Sequence, residues 1–176
     1  MKKFLCSFLV VIAIILSTAT VFGAFLLRSY PVCYREIAKK YHSDWKLVLS
    51  VIKAESSFRP YAESETGAKG LMQILPSTAE FISRRNGIES YDLFEPEDNI
   101  RLGCLYFDYL EVRFSDPDTV LAAYNAGEGT VREWLKNERY SSDGKTLKNV
   151  PYPETENYII KIKKYYRKYG EIYLTK

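Results

Sequence analysis

An apolar helical row that ends on a carboxyl residue is the feature that most restricts how this 176-residue chain can fold. Residues 44–54 predict a helix, and apolar residues recur along one face of it, namely Leu47, Val48, Val51 and Ile52. Glu55 continues the same row, and Pro60 predicts that the helix ends just beyond it. The helix must therefore bury one face in a core and hold a carboxyl group at the edge of that core.

The position of Glu55 has a chemical consequence. Burial disfavours the charged form of a carboxyl group, and the negative end of a helix dipole does the same, so both effects raise its pKa. A carboxyl that is still protonated near neutral pH can act as a general acid. The alternative is that Glu55 is an ordinary, solvated helix-terminal residue, and its position alone does not exclude this.

Helix signals recur along the rest of the chain, and no segment shows the sustained alternation of a strand. Ser43 is the predicted cap of the 44–54 helix, and Ser77 with Glu80 is spaced as a capping box after Pro76. The other predicted helices are 34–41, one from Pro76 to the Asn86-Gly87 pair, 98–113, 119–125, 130–136 and 153–169. The sequence thus predicts a mainly α domain with a loop at 140–151 and no internal repeat.

The N-terminal part of the chain is a separate unit. Residues 4–27 carry no formal charge, and Lys2, Lys3 and Arg28 flank them, so the run is long enough to cross a bilayer as a helix. We predict an uncleaved anchor at residues 1–28 and an exported domain at residues 29–176, with the two lysines inside. The alternative is a cleaved signal peptide whose cleavage site precedes Ala24, which would give a secreted protein.

Composition excludes several classes of protein. With 47% hydrophobic residues the chain can form a core, and a net charge of +3 gives little support to a nucleic-acid partner. His42 is the only histidine, which argues against a Ser-His or Cys-His mechanism and a His-bearing catalytic zinc site, and we expect it on the surface. Cys33 and Cys104 would both be outside the cell, where a disulfide is possible, although Cys104 fits a small core residue.

A glycine-rich loop follows the helix that carries Glu55. Gly67 and Gly70 would let the backbone approach a ligand closely, and we expect a loop or a short extended turn here. Gln73 offers a hydrogen-bond donor and an acceptor from within an apolar run, and Met72 offers an adaptable apolar wall. The alternative is a simple turn with one exposed glutamine.

Three motifs in order carry a resemblance to a known family. They are Glu55-Ser56, then Gly70-Leu71-Met72-Gln73-Ile74, then Ala123-Tyr124-Asn125-Ala126-Gly127. Together they resemble the lytic transglycosylases of the soluble, goose-lysozyme-like group, which are cell-wall enzymes. The resemblance covers roughly residues 41–169 and implies a mainly α, lysozyme-like helical domain with a short extended loop segment. For the whole chain we therefore predict one N-terminal membrane-spanning helix followed by this domain.

The resemblance also implies roles for individual residues. Glu55 would be catalytic, and Tyr124 would hydrogen-bond or position it. The other residues expected to contact the sugar strand are Ser64, Gly70, Met72, Gln73, Asn125 and Glu154. Glu154 lies in the first turn of the last predicted helix, where it can also simply favour the helix dipole. Further along that helix, Lys161, Lys163, Lys164, Arg167 and Lys168 predict a solvated basic face, with attraction to anionic wall polymers as the weaker alternative.

The implied activity needs only one carboxyl group. A lytic transglycosylase would cleave peptidoglycan between N-acetylmuramic acid and N-acetylglucosamine, with Glu55 as acid and then base, and would leave a 1,6-anhydromuramoyl product. No cofactor or metal is expected, and the partners are glycan strands and the membrane. Two alternatives stay open: a goose-type lysozyme hydrolase, which needs a second acid, and a membrane-tethered module that binds glycan strands without cutting them.

Overall fold

Helices form nearly all of the regular structure of this chain. The computed structural model describes residues 32–174 and, before them, only residues 12, 15, 17 and 18. Between residues 32 and 174 the helices are α1 (Val32–Tyr41), α2 (Trp45–Glu55), α3 (Pro76–Arg85), α4 (Pro96–Glu111), α5 (Pro117–Ala126), α6 (Glu128–Leu135) and α7 (Pro153–Leu174). The prediction of a mainly α domain is confirmed, and the predicted helix boundaries are within a few residues except at the C-terminus, where α7 continues five residues further.

Local chemistry sets where the helices begin. The Asp44 carboxylate accepts a hydrogen bond from the Leu47 amide and so caps α2, and Asp116 caps α5 through the Thr119 amide at 2.8 Å. The predicted cap at Ser43 is therefore wrong by one residue. The predicted Ser77–Glu80 capping box is also wrong, because α3 begins after Leu75 without a side-chain cap and relies on its initial proline.

The helix α2 packs most extensively against α7. It contacts α1 and α7, while α5 contacts α4, α6 and α7. Four apolar residues in the middle of α2 are fully buried, namely Val48, Leu49, Val51 and Ile52. Burying each such side chain contributes about 1.5–3 kcal/mol, so this one face supplies a large part of the stability of the domain. Because the middle of α2 is buried in the core, the last residue of the helix is held close to that core.

The glycine-rich loop between α2 and α3 is fastened to α4 by one buried side chain. The Asn99 side-chain amide donates to the carbonyls of Lys69 and Leu93, and its oxygen accepts from the Met72 amide at 2.8 Å. Gly70 has a φ of +77°, and a Cβ there would lie 2.1 Å from the Leu93 oxygen. Within the described residues the loop forms only isolated β-bridges, between Glu63 and Lys69 and between Lys69 and Ile74. The expected short extended turn is thus present.

The predictions for His42 and for the two cysteines have different outcomes. His42 is buried, not on the surface, because its ring packs edge-on against Phe107 and its Nδ1 accepts a hydrogen bond from the Asp44 amide. Cys33 and Cys104 are free thiols, and Cys104 is buried as expected of a core residue.

The predicted membrane segment at residues 4–27 lies almost wholly outside the described residues. Across the part of the chain that the structure does describe, no helix is both long enough and apolar enough to cross a membrane.

Replacing Gly70 by alanine should destabilise the fold strongly. The new Cβ would meet the Leu93 oxygen and the Asn99 amide, and the positive φ adds strain, so we expect a loss of about 3 kcal/mol or more in the free energy of unfolding. Gly67→Ala is the matched control, because Gly67 also has a positive φ but has no atom within 4 Å of a Cβ. It should lose about 1 kcal/mol. Denaturant unfolding of both variants measures this, and equal losses would contradict the role of Gly70.

Candidate active site

The candidate site begins where α2 ends. Glu55 is the last residue of α2, as predicted, and Ser56 closes the helix through its amide to the Ile52 carbonyl. The chain then turns through Ser57 and Phe58, whose φ angles of 51° and 65° lie in the left-handed region that non-glycine residues rarely adopt. Such residues cost about 1–3 kcal/mol each and persist only where their surroundings enforce them. Here the ring of Phe58 is buried and stacks on Tyr34, which holds the turn in place.

The surroundings of Glu55 favour its protonated form. The residue is partly buried, and this loss of solvent raises the pKa of its carboxyl from the ordinary 4.5 to about 7. Tyr158 and the positive charge of Lys161 act in the opposite direction, while the negative charge of Glu154 adds to the rise in pKa. The balance leaves a group that can both donate and accept a proton near neutral pH.

Tyr158 is the residue that the sequence reasoning missed. Its hydroxyl is buried beside the Glu55 carboxyl and interacts with it electrostatically, but within the described residues no group, Glu55 included, lies in hydrogen-bonding geometry to it. Burial raises the pKa of the Tyr158 hydroxyl well above its ordinary value, so the hydroxyl stays protonated next to Glu55. One available signal was its spacing, since Tyr158 lies four residues after Glu154 and therefore on the same face of α7.

Tyr124 lies beside Glu55 but uses its hydroxyl differently from the expectation. The hydroxyl donates a hydrogen bond to the carbonyl of Met72 at 2.9 Å, and the ring stacks on Phe107 with centroids 4.4 Å apart. Burial raises the pKa of Tyr124 well above its ordinary value, with the negative charge of Glu55 as a second cause. Tyr124 therefore ties the glycine-rich loop to α5 next to Glu55 and does not itself hydrogen-bond the carboxyl.

The three candidates in the glycine-rich loop have separate roles in the structure. The Gln73 side chain donates through its amide nitrogen to the carbonyls of Ala62 and Gly70, at 3.1 and 2.9 Å. Met72 is fully buried, and a Cβ at Gly103 would lie 2.4 Å from its sulfur. Its side chain is thus part of the core, not the wall of an open groove as expected. The space beside Gly70 is likewise filled, by the Leu93 carbonyl and the Asn99 side chain, and is not left for a ligand.

A cleft of about 190 Å³ lies at the junction of this loop with α5. Its lining includes three of the predicted site residues, Gln73, Tyr124 and Asn125, together with Leu75 and Tyr106. The Asn125 oxygen accepts a hydrogen bond from the buried Thr155 hydroxyl at 2.8 Å, which fixes the amide against α7. A larger apolar groove, of about 680 Å³, lies between α2, α5 and α7 and contains none of the predicted site residues.

The remaining candidates lie in different settings. Glu154 is exposed in the first turn of α7 and close enough to Glu55 to affect its pKa. Ser64 does not line the 190 Å³ cleft. Its hydroxyl accepts a hydrogen bond from the Ala68 amide and pairs with the Thr66 hydroxyl, so it braces the loop.

One group of side chains has the spacing of a metal site within the described part of the chain. His42, Asp108 and Glu111 place their ligand atoms within 4.8 Å of one another. However, His42 Nδ1 accepts the Asp44 amide hydrogen, so in the neutral ring the proton sits on Nε2, which faces Asp108 at 3.8 Å. Neither ring nitrogen then offers a lone pair to a metal, and this group does not fit one.

Comparison with known proteins places these observations in a family. Residues 32–147 match the model of the family described as the transglycosylase SLT domain. The soluble lytic murein transglycosylase of Escherichia coli K12 is 34% identical over 140 residues, covering 74% of this chain and 22% of that protein. The membrane-bound lytic murein transglycosylase C of Glaesserella parasuis is 30% identical over 171 residues, covering 82% and 47% respectively. The chain therefore spans less than half the length of these relatives.

Solved structures give the same result. The 70 kDa soluble lytic transglycosylase of Escherichia coli matches with a TM-score of 0.68 and 30% identity, covering 87% of this chain and 27% of that one. An inactive glutamate-to-glutamine mutant of the lytic transglycosylase Slt from Pseudomonas aeruginosa matches with a TM-score of 0.70 and 32% identity, covering 83% and 25%. These likenesses confirm the mainly helical, lysozyme-like fold of the described domain.

Replacing Glu55 by glutamine should stabilise the protein, and more so at high pH. The folded state keeps the Glu55 proton up to a pKa of about 7, whereas the unfolded chain loses it near 4.5. Between these values the folded state binds more protons than the unfolded state, so this group makes wild-type stability fall as the pH rises. Glutamine does not titrate, so the gain should be at most about 3 kcal/mol above pH 7 and disappear near pH 4.

Denaturant unfolding of wild type and Glu55→Gln at pH 4, 6 and 8 measures this difference. Glu65→Gln is the control, because Glu65 is exposed in the neighbouring loop. A gain for Glu55→Gln that did not change with pH would mean that the carboxyl titrates as an ordinary solvated group.

Proposed function

The chain belongs to the transglycosylase SLT domain family, and from this membership and the setting of Glu55 we propose that it is a peptidoglycan lytic transglycosylase. The observation that carries the proposal is the buried carboxyl at the end of α2, whose pKa of about 7 suits a group that must give and then take a proton. The proposed substrate is the β-1,4 bond between N-acetylmuramic acid and N-acetylglucosamine in glycan strands.

The proposed reaction has two steps. Protonated Glu55 first donates its proton to the glycosidic oxygen, so that the bond from C1 to this oxygen breaks and N-acetylglucosamine leaves as an alcohol. The acetamido group of the muramoyl residue stabilises the developing cation at C1. The Glu55 carboxylate then accepts the proton of the C6 hydroxyl while O6 bonds to C1. The 1,6-anhydro ring forms, Glu55 is protonated again, and no water is consumed.

The neighbours of Glu55 suit these two steps. Tyr158 faces the carboxyl with a hydroxyl that stays protonated, and it can donate to the carboxylate formed after the first step. Tyr124 and Asn125 line the adjoining cleft. Hydrogen bonds to the Met72 carbonyl and from the Thr155 hydroxyl hold these two side chains in place. We propose that this cleft holds part of the sugar strand and that Gln73 presents its side-chain oxygen to it. The loop is rigid because Asn99 fixes it to α4.

One observation favours a second candidate, a goose-type lysozyme hydrolase. Glu154 is a second carboxyl close enough to affect Glu55, and hydrolases of this kind use a second acid to direct water. Glu154 is exposed and lies in a helix first turn, where an acidic residue is common for structural reasons. The transglycosylase route needs no second carboxyl and is therefore the better match.

We also propose that residues 1–28 anchor the domain to the cell membrane on its outer side. The support is the uncharged run at 4–27 between Lys2-Lys3 and Arg28. Among the relatives, some are described as membrane-bound and others as soluble, so secretion after cleavage before Ala24 is the alternative. Carbonate washing of membranes from expressing cells separates the two, since an anchored chain stays in the membrane and a cleaved chain is released.

Muropeptides released from purified peptidoglycan should identify the reaction. The full-length wild type in detergent should release products lighter by one water than hydrolytic muropeptides, with no reducing end, as read by mass spectrometry. Glu55→Gln should lower the rate by at least about 1000-fold, because it removes the only proton donor of the first step. Glu65→Gln should keep the wild-type rate, since this exposed residue lies outside the site.

Each other outcome has a defined meaning. Reducing muropeptides whose release depends on both Glu55 and Glu154 would establish the hydrolase. Binding of glycan strands without soluble products from the wild type would make the chain a binding module. Full activity of Glu55→Gln would remove Glu55 from the mechanism.

A further inference from the structure

We propose that Lys161 is a positioning residue for Glu55, which holds the carboxyl end of α2 and stabilises the ionised form of Glu55 that appears midway through the reaction. The inference rests on the proposed function for its catalytic part, while its electrostatic part depends only on the fold. The predicted solvated basic face of α7 is confirmed, because its basic side chains are exposed. Lys161 is exposed as well, but it also makes a specific contact with α2.

The contact joins two distant parts of the chain. The ammonium group of Lys161 donates a hydrogen bond of 3.0 Å to the carbonyl of Ala54, which directly precedes Glu55. The last carbonyls of a helix have no partner within the helix and carry its negative partial charge. Lys161 therefore satisfies one of these carbonyls and fixes the α2 terminus against α7, the helix that α2 packs on.

The charge of Lys161 is also distinctive among the groups that act on Glu55. From α7 these groups are Tyr158, Lys161 and Glu154, and from α5 the group is Tyr124. Within this set, drawn from the described residues, Lys161 is the one cation. Burial and the charge of Glu154 disfavour the ionised form of Glu55, whereas Lys161 and Tyr158 favour it. Without Lys161, the carboxylate would depend on a single neutral hydroxyl.

The two-step reaction needs both forms of Glu55. If burial acted alone, the acid would remain protonated at higher pH, but the carboxylate left after proton donation would be destabilised. The nearby ammonium stabilises that carboxylate until it accepts the C6 proton. Lys161 is not among the residues that line the 190 Å³ cleft, so we infer that it acts through Glu55 and not on the substrate.

Three substitutions separate the charge from the hydrogen bond. Lys161→Gln keeps a donor for Ala54 but removes the charge, and Lys161→Arg keeps the charge. Lys164→Gln is the control, since Lys164 is an exposed cation one turn further along α7 and does not act on Glu55. All three are made in the full-length protein, and thermal unfolding at pH 5 first establishes that each variant is folded.

The expected kinetic result is a shifted alkaline limb in the pH profile of kcat/KM on soluble glycan strands. Activity requires protonated Glu55, so the wild-type limb should have its midpoint near the pKa of about 7. Lys161→Gln should move the midpoint up by about 0.5 pH unit, or about threefold in the ratio of protonated to ionised Glu55. It should also lower kcat at the acidic plateau. Lys161→Arg and Lys164→Gln should keep the wild-type midpoint.

A second readout does not depend on activity. The loss of unfolding free energy between pH 5 and pH 9, measured against the same variant carrying Glu55→Gln, reports the ionisation of Glu55 alone. This Glu55-linked loss should be larger in Lys161→Gln than in wild type and unchanged in Lys164→Gln.

The two readouts distinguish the possible failures. If no variant or wild type forms anhydro products but the Glu55-linked loss still grows in Lys161→Gln, the proposed function fails and the electrostatic role of Lys161 stands. If the wild type is active and Lys161→Gln behaves as Lys164→Gln in both readouts, Lys161 is only one more surface cation. If Lys161→Gln lowers stability equally at all pH values without shifting the alkaline limb, its role is structural, and the proposal is wrong.

Discussion

Removal of the Glu55 carboxyl from water is the interaction on which the rest of the site depends. The apolar face of α2 is fully buried in the core, and the last residue of the helix, Glu55, is partly buried at the edge of that core. Ionising a carboxyl there is unfavourable, and the cost comes from the same packing that stabilises the fold. The free energy of unfolding is therefore lower above neutral pH, where Glu55 must ionise in surroundings that favour its protonated form. Tyr158 and Lys161 limit this cost, since they leave the carboxyl able to ionise when the reaction requires it.

The glycine-rich loop is held in place by hydrogen bonds and not by apolar packing of a helix face. The loop has little regular structure of its own, yet its polar groups are bound either to a neighbouring helix or to one another. Asn99 fixes the loop to α4, Gln73 braces it from within, and Tyr124 joins it to α5 through the Met72 carbonyl. Gly70 is required because α4 lies against its backbone. A loop fastened in this way can present a fixed surface to a sugar strand without rearranging on binding.

The sequence was informative wherever the signal was local. The helical row that ends at Glu55 and the helices that begin at Pro76 and Pro153 could be identified from sequence patterns alone, and the predicted starts of these helices agree with the structure. Contacts between distant segments could not be identified in this way. Lys161 meets Ala54 across 107 residues of sequence, and Tyr158 faces Glu55 from the same remote helix. Met72 is in the core and His42 is buried because of how α4 packs against them, which neither residue type indicates locally.

The most direct test of this account is the titration of Glu55 itself. Carbon-13 labelling of glutamate side chains, with Glu55→Gln used to assign the signal, allows the ionisation of this single carboxyl to be followed by NMR in the wild-type protein. The account predicts a midpoint near pH 7, well above the ordinary 4.5. A midpoint near 4.5 would mean that Glu55 is a solvated carboxylate at neutral pH, and a one-acid mechanism centred on it would be wrong.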